Sequence, residues 1–328
     1  MKPMKESLRG YALALAILWA ILILAAFLYS RDQGFPSNIV VAVVPAFLAE
    51  AALYLAAGMS STRSRLEQMA PAQLAGWMTA SSVVPYAICT FGLGMFDWRA
   101  AAAILALAAI ASLYYVVLPH RPAMDLVFLA GVAAVVLLKI FQRLYPSPLP
   151  KVELSILGAA MWVRTGILAT LSLRRMEGVG FGFLPRGREW AIGFRYYLLY
   201  LPAGIGLAIW LGFVHPQPRP FGLRMLLLTV ATFFGVLWVV ALSEEFFFRG
   251  ILQQTLEKLL NNGPAALLLA SLLFGAVHLP FRVFPNWRFA ILAALAGVAY
   301  GLAFRAARSI RAAMVTHALV VTTWRLLS

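Results

Sequence analysis

Apolar runs of about 20 residues, the length at which a helix crosses the hydrocarbon core of a bilayer, recur from one end of this sequence to the other. No other feature restricts the fold as strongly. Backbone N–H and C=O groups find no water in lipid, so a spanning segment must satisfy them internally, as a helix or in a closed barrel. The runs lack the two-residue alternation of a barrel strand, and all are expected to be helices. Candidate spans lie near residues 11–29, 38–58, 73–94, 100–118, 124–141, 154–173, 195–214, 225–244, 264–280, 289–304 and 310–327. The expected fold class is all-α, a polytopic transmembrane helical bundle of about 9 to 11 spans. Composition agrees: 62% of residues are hydrophobic and 12% are charged, where a soluble domain has roughly 45–50% and 25%.

The basic stretch MKPMKESLRG before the first run looks like the start of a signal peptide. The apolar core is too long for that and no A-x-A-like cleavage site follows, so a retained first helix is expected. The longest polar interval is the Gly-rich RRMEGVGFGFLPRGRE, Arg174 to Glu189. It suggests an N-terminal transmembrane region of unassigned role at 1–190 and a functional core at 191–328. Cys89 stands alone inside an apolar run, which excludes an intrachain disulfide and a zinc–thiolate cluster.

A net charge of +15 raises the question of nucleic acid, but a DNA binder clusters its basic residues on one soluble face. Here they are spread between apolar runs, so no nucleic-acid partner is expected. With simple alternation of spans, Lys2, Lys5, Arg9, Arg63, Arg65, Arg174, Arg175, Arg186, Arg188, Arg305, Arg308 and Arg311 share one side. Arg31, Arg99, Arg143, Lys151, Arg219, Arg224, Arg282 and Arg288 take the other. The richer side, with the N-terminus, should be cytoplasmic.

Against this background SEEFFFRG, residues 243–250, stands out. An ionisable residue at membrane depth costs several kcal/mol unless paired, hydrated or used. Glu244 and Glu245 point about 100° apart on a helix, whereas Glu245 and Arg249 are four apart and share a face. Arg249 can therefore neutralise Glu245 and leave Glu244 to point elsewhere; the alternative is one ion-pair network that holds a helix end.

His278 follows in LASLLFGAVHLP, beyond the stop-and-start signal Asn261-Asn262-Gly263-Pro264. Glu244 lies 17 residues before Asn261 and His278 lies 17 after it. In an antiparallel helical hairpin both stand roughly 25 Å from the turn, at one depth. His317, in MVTHALVVTTW, is the other histidine within a span of this half. His120 and His215 adjoin Pro119 and Pro216 at expected loops and read as surface residues.

A glutamate and two histidines in a wet intramembrane pocket allow three kinds of chemistry. The glutamate can act as general base on a water that one histidine holds, while the other donates to a developing oxyanion. Glu244, His278 and His317 can instead hold one divalent metal, although the spacing is not that of H-E-x-x-H. Buried Glu and His also serve proton relays in transporters, and Glu50, Lys139 and Arg164 fall in spans as well. No inverted repeat of Gly/Pro-broken helices accompanies them.

The ordered set of Glu244, Glu245 and Arg249, then Phe274 and His278, then His317 resembles the CAAX-protease and bacteriocin-processing (CPBP, or Abi) family of intramembrane proteases. The likeness covers about residues 224–328, including the small-residue stretch LAGVAYGLAF. It implies an intramembrane endopeptidase acting on a membrane-associated protein or peptide by glutamate-activated water. It places Glu244 as general base, His278 on the attacking water and His317 in the oxyanion hole, with Glu245, Arg249 and Phe274 in supporting roles and no cofactor. The implied location is a bacterial cell (inner) membrane. The family's last motif is usually H-x-x-x-N, and here Val321 stands at its end and donates no hydrogen bond. Trp324, on the same helical face, offers an indole N–H or serves as an interfacial anchor. The alternatives are a non-proteolytic immunity or scaffold protein of the same family and a secondary transporter.

Overall fold

The computed structural model of the chain describes residues 2–214, 222–281 and 283–327, and every regular element among them is helical. The loop residues His215, Arg219 and Arg282 lie outside the described residues. In chain order the helices begin with α1 (Lys2–Gln33), α2 (Ser37–Gly58), α3 (Ser60–Leu66), α4 (Pro71–Ser82), α5 (Val84–Gly92) and α6 (Trp98–Val117). Next come α7 (Pro122–Leu137), α8 (Ile140–Leu144), α9 (Ser155–Leu168) and α10 (Gly187–Trp210). The last are α11 (Leu223–Gly235), α12 (Leu242–Glu245), α13 (Gln254–Leu260), α14 (Gly263–Ala276), α15 (Trp287–Ala307) and α16 (Ile310–Leu327). Single π-helical stretches continue α9 over Ala169–Leu173 and join α11 to α12 and α12 to α13 over Val236–Ala241 and Phe246–Gln253.

Eight helical stretches among the described residues are long and apolar enough to cross a membrane: Leu8–Gln33, Ser37–Gly58, Pro71–Gly92, Trp98–Val117, Ser155–Leu173, Gly187–Trp210, Leu223–Leu260 and Trp287–Ala307. This is an integral membrane protein. Three of the expected spans fall short of that standard. The run at 124–141 becomes α7, which ends before Lys139 takes a left-handed φ of 54°. The run at 264–280 becomes the 14-residue α14. The final run, α16, carries Arg311, Thr316, His317, Thr322 and Arg325, and its stretch 312–318 is buried without a break.

The chain forms two compact units, one of Met1–His120 with Val127–Met176 and one of Arg121–Leu126 with Glu177–Ser328. Both turn the soluble pattern inside out. Leu226, Leu227, Leu228, Leu268 and Leu272 are exposed, while Glu50, Arg164, Glu245, Arg249 and His317 are buried. Bilayer solvent explains this, because lipid accepts leucine and excludes charge. In the first unit α2 packs on α5 and α9, and α4 packs on α6. There the Arg164 side chain donates from Nε to Glu50 Oε1 at 3.0 Å and from Nη1 to Ser81 Oγ at 2.9 Å. That pairing ties α2, α4 and α9 together. Lys139 is exposed between α7 and α8, and His120 is exposed with Nε2 bonded to the Tyr115 carbonyl at 2.9 Å. Cys89 is buried and free.

In the second unit α16 packs against α10, α11, α12 and α15, while α13 and α14 form a hairpin whose α14 arm packs on α15. The hairpin turns where Asn261 takes a left-handed φ of 48°, and the Asn262 side chain then caps α14 by accepting from the Ala265 N–H at 3.0 Å. Phe248 and Phe274, each 13 residues from Asn261, meet with ring centroids 5.0 Å apart, so the two arms run in register. Helices in lipid gain contact by bringing backbones close over small residues. At Gly275 a Cβ would come 2.5 Å from the Ala290 carbonyl oxygen. Gly275→Ala is therefore expected to destabilise the protein by about 1–3 kcal/mol, read as a lower Tm in detergent; an unchanged Tm would show that α14 and α15 do not approach this closely.

Candidate functional site

The acidic pair sits where the helix changes its winding. Residues 242–245 form one ordinary α-helical stretch between two π-helical ones, and π turns are uncommon segments often found at functional sites. Glu245 is fully buried, and two groups converge on its carboxylate. His317 Nδ1 lies 2.7 Å from Oε1, and Arg249 Nη1 donates to the same oxygen at 3.2 Å. The other arm of the guanidinium, Nη2, donates to the Gly297 carbonyl on α15 at 3.0 Å. A Cβ at position 297 would stand 3.1 Å from that nitrogen, so glycine leaves the space in which Arg249 sits. The guanidinium also lies over the rings of Phe274 and Tyr300, with Cζ 4.5 and 5.2 Å from their centroids.

Glu244 turns away from this cluster. Its side chain is 30% exposed, and Oε2 lies 3.8 Å from His317 Nε2. That oxygen is itself buried and has no hydrogen-bond partner among the described residues. The two ring nitrogens of His317 thus face two carboxylates, one in hydrogen-bond contact and one at the distance of a long ion pair.

His278 lies just beyond α14, half-buried. Its Nδ1 is 2.6 Å from the Phe274 carbonyl, which only accepts, so Nδ1 is the donor and Nε2 is left with its lone pair. His278 and His317 line a common cavity of about 40 Å³ with Phe274, Tyr300, Val321 and Trp324. That volume is large enough to admit water. Glu244 is not among the residues that line this cavity and reaches the cluster through His317.

Residues 226–323 match the family model described as Type II CAAX prenyl endopeptidase Rce1-like. Over that stretch the chain is similar to the Rce1-like CAAX protease family. No curated protein and no solved structure matches the chain. The Rce1-like stretch contains Glu244, Glu245, Arg249, Phe274, His278 and His317, and α16 carries Trp324 one residue past it.

Within the Rce1-like stretch the Glu245–Arg249 pair forms as its four-residue spacing suggests. The sequence did not reveal that Glu245 also holds His317. It missed Tyr300 as well, whose ring stacks on His317 with centroids 4.5 Å apart and planes 11° apart. A signal for Tyr300 was present, as the lone aromatic between Gly297 and Gly301 on a helix of small residues. Trp324 packs edge-on against Tyr200 and Phe213. Among the described residues no group of three or more His, Cys, Asp or Glu side chains is arranged to hold a metal ion. The alternative ligand set of Glu244, His278 and His317 is not gathered as such a group.

Proposed function

We propose that this protein is an intramembrane endopeptidase that hydrolyses a peptide bond of a membrane-associated protein or peptide with water activated by Glu244. The observation that carries this reading is the buried Oε2 of Glu244, without a hydrogen-bond partner among the described residues and 3.8 Å from His317 Nε2. Glu244 takes a proton from water while His278 Nε2 accepts the second hydrogen bond of that water and orients it. The water oxygen adds to the scissile carbonyl. The C–N bond then breaks as Glu244 returns the proton to the leaving amine. Arg249 and Glu245 support this chemistry by fixing the orientation of His317, and the N-terminus is cytoplasmic.

The test uses purified protein in liposomes and a farnesylated peptide ending in a CAAX sequence, cleaved in H₂¹⁸O. One ¹⁸O should enter the new carboxylate, and the C-terminal tripeptide should be released. A peptide left intact by well-folded protein would favour a non-proteolytic scaffold of the same family, and one cut equally by Glu244→Gln would remove Glu244 from the mechanism.

Metal activation makes a different prediction. A catalytic zinc needs three protein ligands, and use of Glu244, His278 and His317 would leave Glu245 as the base although Arg249 and His317 already occupy it. Active protein is expected to keep its rate in strong chelator. Loss of activity on chelation, restored by one equivalent of a divalent metal, would overturn the water-activation scheme.

A further inference from the structure

Cleavage through a tetrahedral intermediate places negative charge on the former carbonyl oxygen, and a hydrogen-bond donor must meet it. The two histidines are poorly placed for that role. His278 gives its Nδ1 proton to the Phe274 carbonyl at 2.6 Å, and the neutral ring then offers Nε2 only as an acceptor. His317 directs Nδ1 to the Glu245 carboxylate at 2.7 Å, another pure acceptor. A second proton on its Nε2 would face Glu244 Oε2, 3.8 Å away. Val321 lines the same cavity and has no donor.

Resting on the protease reading above, we infer that the Tyr300 hydroxyl is the oxyanion donor of this site. Tyr300 is 2% exposed, lines the cavity beside His278 and His317, and is fixed by its stack on the His317 ring. A phenol both donates and accepts, so it needs no second protonation event to serve. Its ring also lies 5.2 Å from the Arg249 guanidinium, which ties the donor to the pair that orients His317. The lost torsional freedom is already spent before substrate arrives, as preorganised stabilisation of a developing charge requires.

The decisive measurement compares wild type, Tyr300→Phe, Glu244→Gln and the double variant Tyr300→Phe/Val321→Asn on the farnesylated CAAX peptide in liposomes. Phenylalanine keeps the stack on His317, so Tm should hold while kcat falls about 10²–10³-fold with KM little changed. Asparagine at 321, facing the same cavity, should restore at least about tenfold of that loss. A Tyr300→Phe protein as fast as wild type overturns the assignment while Glu244→Gln stays inactive and the protease reading stands. So does a rise in KM at constant kcat, or a lower rate that follows a lower Tm and is not rescued at position 321. A well-folded wild type that leaves the peptide intact overturns the protease reading and this assignment with it.

Discussion

Glu244→Gln is expected to abolish peptide hydrolysis, by at least about 10²–10⁴-fold, while leaving a folded protein. Glutamine keeps the size of the side chain and can still approach His317, but it cannot accept a proton from water. The side chain is 30% exposed and makes no hydrogen bond through Oε2 to a described residue, so the substitution removes no interaction that packing depends on. The check is paired: cleavage of the farnesylated peptide in liposomes, and the melting temperature of the same preparation. Retained cleavage would remove Glu244 from the mechanism. A melting temperature that collapses together with activity would instead make Glu244 part of an ion-pair scaffold.

Arg249→Ala is expected to act in the opposite way, through stability. Arg249 is fully buried, donates to Glu245 and to the Gly297 carbonyl, and lies against Phe274 and Tyr300. Its removal leaves the Glu245 carboxylate with His317 as its one partner among the described residues and opens a gap among the rings around it. Breaking a buried pair from one side costs about 3–5 kcal/mol. Equilibrium unfolding in mixed micelles should show a loss of this size, and Arg249→Ala combined with Glu245→Gln should recover part of it, because the unpaired charge is then gone. Equal stability of wild type and Arg249→Ala would refute the pairing, and a double variant no better than the single one would assign the loss to packing alone.

These two substitutions also separate what was legible in the sequence from what was not. The spacing of Glu245 and Arg249 shows an ion pair before any coordinate is known, since the helix brings positions four apart onto one face. The hairpin is just as legible: Asn261 and Asn262 are a stop and a cap, and equal counts from them put Phe248 opposite Phe274. What a count cannot provide is the orientation of a side chain about its own axis. Glu245 shares His317 with Glu244, and only packing of α16 against α12 and the π turns decides which carboxylate takes Nδ1.

The sequence by itself determined the helical class and the membrane location, because lipid offers backbone groups no partner outside the segment and a run of apolar residues can then do only one thing. It determined the local pairs and the turns for the same reason, that these depend on neighbours in the chain. Tertiary structure decided which spans are full ones: α7 stops at a left-handed residue, and the polar α16 can exist only because α10, α11, α12 and α15 surround it. It also decided the company of His317, a ring held between two carboxylates and stacked on Tyr300, whose partners come from positions 244, 245 and 300. Contacts across such sequence distances are set by the closeness of helix backbones at residues such as Gly275 and Gly297, and no local periodicity encodes that closeness.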